Sequence, residues 1–258
     1  MRRLFFTTQL VLLSACSFSA EGTKIRIPVT ADSSEIRPVE TDLGYEVELT
    51  EAGAFVRDLR FLSAEAHSEL LRPLDLLVRS ARAHPGHHHG GEVTGELLGR
   101  FGLRWLPDAG SLGEATLLPG PYVSASYGFA PAEESDGLVQ SSPLLGKAVH
   151  LRGRATKGEA EVPFVVLLDP PEDRLEHVPF EATVGQGSPA ALGLRLRLED
   201  EAGTLFDGID FDVLARGAPS PLSLTADASD PAVQAAHERL RIAFFSHRFH
   251  DVRALHER

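Results

Sequence analysis

Residues 192–198 read Leu192-Gly193-Leu194-Arg195-Leu196-Arg197-Leu198. Apolar and non-apolar positions alternate at every step, the period of a strand with one face buried, because successive side chains leave a strand on opposite faces. The same period recurs outward from this point. Lys24–Thr30 sets Ile25, Ile27 and Val29 on one face, Tyr45–Thr50 sets Tyr45, Val47 and Leu49, and Pro121–Phe129 sets Val123, Ala125, Tyr127 and Phe129. Ala54–Leu62, His177–Val184 and Ile209–Leu214 read as further strands, and Glu96–Leu106 is an apolar stretch that holds the only tryptophan, Trp105. Lys147–Ala155 and Ala160–Asp169 form a hairpin through Thr156-Lys157-Gly158, stopped by Pro170-Pro171, and Gly110–Gly120 reads as a turn region. Only the tail departs from this period. Ser229-Asp230-Pro231 is a helix start with a capping residue and a proline in the first turn. Val233, Ala236, Leu240 and Phe244 then share a helical face, which Ile242 and Phe245 widen.

The expectation is therefore a mainly β protein, an antiparallel β-sandwich of eight to ten short strands with a histidine-rich insertion loop and a C-terminal helix. Seventeen prolines and twenty-three glycines in 258 residues favour turns over long helices, and a 43 % apolar content is enough for a core. The expected division is a signal peptide over 1–16, a tether over 17–24, the sandwich over 25–228 and the helix, packed on or flanking the sandwich, over 229–258. A formal net charge of −12 argues against a nucleic-acid partner.

Met1-Arg2-Arg3, the apolar run Leu4–Leu13 and Ser14-Ala15-Cys16 make a secretory signal. Leu13-Ser14-Ala15-Cys16 resembles a bacterial lipobox, which implies that Cys16 is lipidated, becomes the new N-terminus and is the chain's only membrane contact. The alternative is an ordinary signal peptide cleaved nearby. Ser17 after the cysteine resembles the sorting signal for the outer membrane, where the protein faces the periplasm or the cell surface. Cys16 is the sole cysteine, so lipidation leaves no thiolate and any metal site is built from His, Asp and Glu.

The chemistry concentrates in Ala83-His84-Pro85-Gly86-His87-His88-His89-Gly90-Gly91-Glu92, at the end of an insertion that begins near Ala64 and is interrupted by Pro73. Imidazole nitrogens suit zinc and copper, and a carboxylate can complete the shell. His84, His87, His89 and Glu92 are the candidate ligands. His88 points the other way in an extended segment. A solvated polar loop is the competing reading. His247 and His250, at i and i+3 near the end of the helix, are a second candidate pair, or a helix end whose cations meet its negative pole. His150 and His177 sit in strands and read as structural or exposed. Asp207, Asp210 and Asp212 lack the loop-plus-glutamate pattern of a calcium site and read as a solvated strand face. No Gly-x-Ser-x-Gly, His-Glu-x-x-His or phosphate-binding glycine loop is present.

Two resemblances extend this reading. Ala83-His84-Pro85-Gly86-His87 followed by Gly90-Gly91-Glu92-Val93-Thr94-Gly95-Glu96-Leu97-Leu98-Gly99 resembles a block of uncharacterised lipoproteins of myxobacteria and similar bacteria. Asp58-Leu59-Arg60-Phe61, Leu118-Pro119-Gly120-Pro121-Tyr122 and Ser142-Pro143-Leu144, spread over roughly residues 25–165, are similar to the MbnP-like periplasmic copper-binding proteins, which implies a β-sandwich and copper. Three functions follow as expectations: a non-catalytic envelope lipoprotein binding zinc or copper, a structural or protein-interaction lipoprotein without metal, and a metal-dependent enzyme with Glu92 as base.

Overall fold

A computed structural model describes residues 23–63 and 92–256. Fourteen strands occupy these residues: β1 (Ile25–Asp32), β2 (Val39–Glu40), β3 (Glu46–Ser63), β4 (Val93–Leu106), β5 (Ser111–Leu117), β6 (Gly120–Phe129), β7 (Val149–Lys157), β8 (Ala160–Leu168), β9 (Leu175–Val184), β10 (Ala191–Leu196), β11 (Glu199–Asp200), β12 (Gly203–Thr204), β13 (Leu222–Leu224) and β14 (His250–Leu255). Two α-helices join them, α1 (Phe211–Leu214) and α2 (Pro231–Phe244). The fold is mainly β and sandwich-like, as the alternation demands. Leu192, Leu194, Leu196 and Leu198 are at most 1 % exposed. On the outer face of β10, Arg195 grips the Asp251 carboxylate of β14 through two bonds of 2.8 and 2.7 Å.

Twelve strands form one sheet, in the order β13-β8-β7-β3-β4-β5-β1-β10-β14-β9-β6, with β2 beside β3. Because β6 also pairs with β3, eight of them close into a ring. Strands β7, β8 and β13 form a wing on the first half of β3. The sequence suggests two separate strands, Tyr45–Thr50 and Ala54–Leu62, where the chain makes one of 18 residues. Pairing persists through the interruption because extra residues are absorbed as bulges. One lies between Leu49 and Glu51 against β7, where a Cβ on Gly153 would overlap the Glu48 carbonyl.

Other bulges explain further departures. Leu112 is extruded where β1 shifts register between Val29 and Thr30, so Leu112, Ala115 and Leu117 are buried out of period and β5 reads as a turn. A shift between Tyr122 and Ser124 turns Val123 outward and Tyr122 inward. Ile209–Leu214 is not a strand. The Asp210 carboxylate accepts the Val213 N–H at 3.1 Å and caps α1, whose buried Phe211 and Leu214 have helical spacing. The pairing is also not purely antiparallel, since β1–β10, β8–β13 and β9–β14 run parallel.

The tail differs most from expectation. Asp230 caps α2 as its sequence predicts, and Val233, Ala236, Leu240 and Phe244 are buried, while Ile242 is 62 % exposed. The helix then ends, a 3-10 turn follows at His247–Phe249, and the chain re-enters the sheet as β14 between β10 and β9. Residues 229–258 are therefore more than a flanking helix. Across the ring interior, the Trp105 Nε1–H of β4 donates to the Leu194 carbonyl of β10 at 2.9 Å, and Phe61 meets Phe180 edge-on at 5.5 Å.

Truncation after Ser246 removes the buried Phe249 and a central strand, leaving β10 and β9 as unpaired edges. The truncated chain is expected to show no cooperative thermal transition by circular dichroism. A transition resembling that of the full chain shows instead that β14 is dispensable.

Candidate functional site

His84, His87 and His89 lie in residues 64–91, and Cys16 with most of the tether lies in 1–22; both stretches are outside the described residues. What is described is the frame that holds them. Residues 64–91 connect β3 to β4, and the base of this connection is pinned. The Ser63 N–H donates to the Glu92 carbonyl at 3.0 Å and the Ser63 hydroxyl to the same oxygen at 3.3 Å. The side chain of Glu92, the one expected ligand of this tract that is described, is exposed. Lys24, immediately before β1, shares a small cleft with Val93, Thr94, Glu96 and Leu118. The chain thus enters the ring at the end where the histidine-rich connection leaves and returns. Val93 and Val123 are exposed at this end, 47 % and 46 %.

His250 and His247 are not brought together. His247 opens the 3-10 turn and faces solvent, whereas His250 begins β14 with its side chain in the core. The expected i, i+3 helical pairing fails because α2 has already ended. The His250 imidazole sits among Phe244, Phe129, Tyr127 and Trp105, with ring centroids 5.0, 6.2, 6.2 and 6.4 Å away. A carbonyl only accepts, so the 2.7 Å contact with Phe244 O fixes the proton on Nε2. Nδ1 then accepts the Tyr127 hydroxyl at 3.0 Å. Burial raises the Tyr127 pKa and keeps that hydroxyl protonated. Both ring nitrogens are satisfied, which leaves no lone pair for an ion and makes His250 a structural residue.

Other histidines and aspartates of the described residues are also structural. His237 donates Nε2–H to the Leu167 carbonyl at 3.1 Å and fastens α2 to β8. His177 occupies a bulge with φ +57°. Asp207 accepts from Thr204 N and Oγ1 at 2.8 and 2.7 Å and from Asp42 N at 3.0 Å, tying a loop together. Asp210 accepts the Tyr45 hydroxyl at 2.8 Å, a phenol whose pKa burial pushes up to about 12. These aspartates are knots and caps rather than the solvated strand face that alternation suggests. Among the described residues no group of three or more His, Cys, Asp or Glu side chains could hold a metal ion. Among them, too, no helix is long and apolar enough to cross a membrane.

Burial in the apolar core, only partly offset by the Phe244 carbonyl, holds the His250 pKa at about 4, below the ordinary 6.5. A base with a depressed folded pKa favours unfolding as acid rises, because the unfolded chain takes the proton first. Its contribution is intact above pH 6.5 and is lost as the pH falls from 6.5 through about 4. The loss is on the order of 3 kcal/mol by pH 4. Imidazole nitrogen chemical shifts are expected to report a neutral Nε2–H tautomer down to about pH 4. A ring that titrates near pH 6.5 refutes this packing.

No protein-family model, curated protein or solved structure matches the chain. The functional reading therefore rests on its own residues.

Proposed function

We propose that the chain is a bacterial envelope lipoprotein, anchored through lipidated Cys16, that binds one zinc or copper ion through His84, His87, His89 and Glu92 without catalysing a reaction. The observation that carries this reading is the frame of the β3–β4 connection. Its two ends are hydrogen-bonded to each other at Ser63 and Glu92, on the end of the ring where the tether joins β1. A pinned base lowers the entropy lost when a loop gathers several ligands around one ion. The donor set fits a borderline ion: three imidazoles and a carboxylate, with no cysteine once Cys16 carries lipid. The eight tether residues 17–24 reach about 28 Å when extended, so anchoring at Cys16 keeps this end of the ring close to the lipid surface.

The first test is elemental analysis of residues 17–258, purified without an affinity tag, beside the His84→Ala, His87→Ala double variant. Near-stoichiometric zinc or copper is expected in the parent and its loss in the variant, with an unchanged melting temperature. Absence of both ions from the parent, even after loading and desalting, overturns the metal reading and leaves a structural or partner-binding lipoprotein. A turnover that depends on the bound ion favours the enzyme reading.

Anchoring has a separate test. In a bacterial host the full chain is expected in the membrane fraction and to incorporate labelled fatty acid, and Cys16→Ser is expected to abolish both. Unchanged labelling of Cys16→Ser removes the lipoprotein assignment without touching the metal result.

A further inference from the structure

A cleft of about 660 Å³ lies on the outer face where β3 passes between β4 and β7, lined among others by Glu51, Phe55, Arg104, Asp136, Lys147 and His150. Its floor is made by cross-strand register. Gly53 of β3 pairs with His150 of β7 on one side and with Arg104 of β4 on the other, and Phe55 pairs with Gly102. Paired residues project from the same face, so His150 and Arg104 stand on either side of a position with no side chain. Two strand spacings separate them, about 10 Å between backbones. A Cβ on Gly53 would press on the Leu103 carbonyl at 3.2 Å, whereas one on Gly102 would touch the Phe55 ring at an ordinary 3.6 Å. The result is a slot with a flat peptide floor, a half-buried aromatic ring at one end and two nitrogen-bearing walls.

The charges of this cleft are balanced except at one place. Glu51 pairs with Arg152 at 3.3 Å, Asp136 with Arg100 through both carboxylate oxygens, and Lys147 with Asp169 at 2.8 Å. Arg104 is tethered only through Nε–H to the Asp108 carbonyl at 3.0 Å, and no described carboxylate lies within ion-pair distance of it. Its two terminal NH₂ groups keep the fork geometry that suits a carboxylate. Burial lowers the His150 pKa against the opposing pull of Glu51, whose carboxylate lies 3.6 Å from Nδ1, so at neutral pH the opposite wall is an uncharged imidazole with one donor and one acceptor. In a protein of net charge −12, one uncompensated guanidinium over a glycine floor selects a single negative group rather than a polyanion.

We infer that this cleft binds a small organic anion, its carboxylate on Arg104 and its flat apolar body over Gly53 and Gly102 between His150 and Phe55. The site is independent of the histidine-rich connection. The probe is benzoate, titrated into the ¹⁵N-labelled domain and followed by amide shifts, with benzyl alcohol as the uncharged counterpart. Saturable shifts at Gly53, Gly102, Arg104 and Val149 are expected with benzoate, and binding of benzyl alcohol at least about tenfold weaker, the value of one charge-assisted contact. Arg104→Gln is expected to weaken benzoate by a similar factor. Gly102→Leu, which fills the slot from an exposed position, is expected to do so while keeping the charge and the melting temperature. Equal binding of the two probes, parent-like binding by either variant, or no saturable shift in the parent overturns the inference.

Discussion

Strand β3 is too long to be served by one neighbour on each edge, and the rest of the molecule follows from how its edges are divided. One edge pairs with β7 over Glu46–Ala54 and with β6 over Val56–Ser63; the other carries β2 and then β4. A strand of this length bends if it is to stay on a closed ring, and bulges supply the bend. The change of partner falls at Phe55, and shortly beyond it Asp58 adopts φ +49° at a register shift against both β4 and β6. Its carboxylate accepts the Gly99 N–H at 3.1 Å, and its carbonyl, freed from the ladder, accepts from Arg174, which also reaches Ser126 O. Aspartate tolerates the left-handed region better than most residues and offers a side-chain acceptor at the same time. One residue thus joins three strands of the ring, β3, β4 and β6, to the start of β9.

The ring needs its tail for a related reason. Strands β9 and β10 are neighbours in sequence but not in the sheet; β14 lies between them. It arrives after α2 has covered β8 and β13 and delivered Phe244 to the aromatic cluster around His250. A phenylalanine at position 250 would satisfy the packing but would leave the Tyr127 hydroxyl and the Phe244 carbonyl without their partner. The imidazole is the side chain that accepts from one and donates to the other while remaining neutral, so its place in the core is a hydrogen-bond requirement and not a ligand's.

What the sequence made legible divides along the same physical line. Elements fixed by local period were readable: the leucines of β10, the β7–β8 hairpin, although its turn is Gly158-Glu159 and Thr156-Lys157 extend β7, and the Asp230-Pro231 start of α2. Elements set by a bulge were not, because one extruded residue reverses the face of those that follow. Leu112 hides β5 in this way, Val123 takes the wrong face, and Thr50 splits β3. Gly53, Gly102, Arg104 and His150 carry no local signal because their proximity is created by pairing across three strands. The histidine tract is the opposite case: its donors are adjacent in sequence, and only the pinning of its base by Ser63 and Glu92 needed the fold.

The geometry also separates the two proposed sites. Gly53 lies ten residues before Ser63 on β3, at most about 33 Å along a strand that bulges bend. If Cys16 holds the Lys24 end of the ring to the lipid surface, the histidine-rich connection is on the membrane side and the Arg104 cleft is displaced from it by nearly the length of the ring. The charge distribution suits that division. An acidic surface disfavours anions near it, so a cleft with a net cation must collect its ligand over short range, within a Debye length of about 8 Å at physiological salt. Cations meet no such barrier at the other end, where Glu92 and Glu96 are exposed. An ion at the proposed histidine site and an organic anion at the Arg104 cleft would therefore approach different ends of one sheet, separated by more than a Debye length.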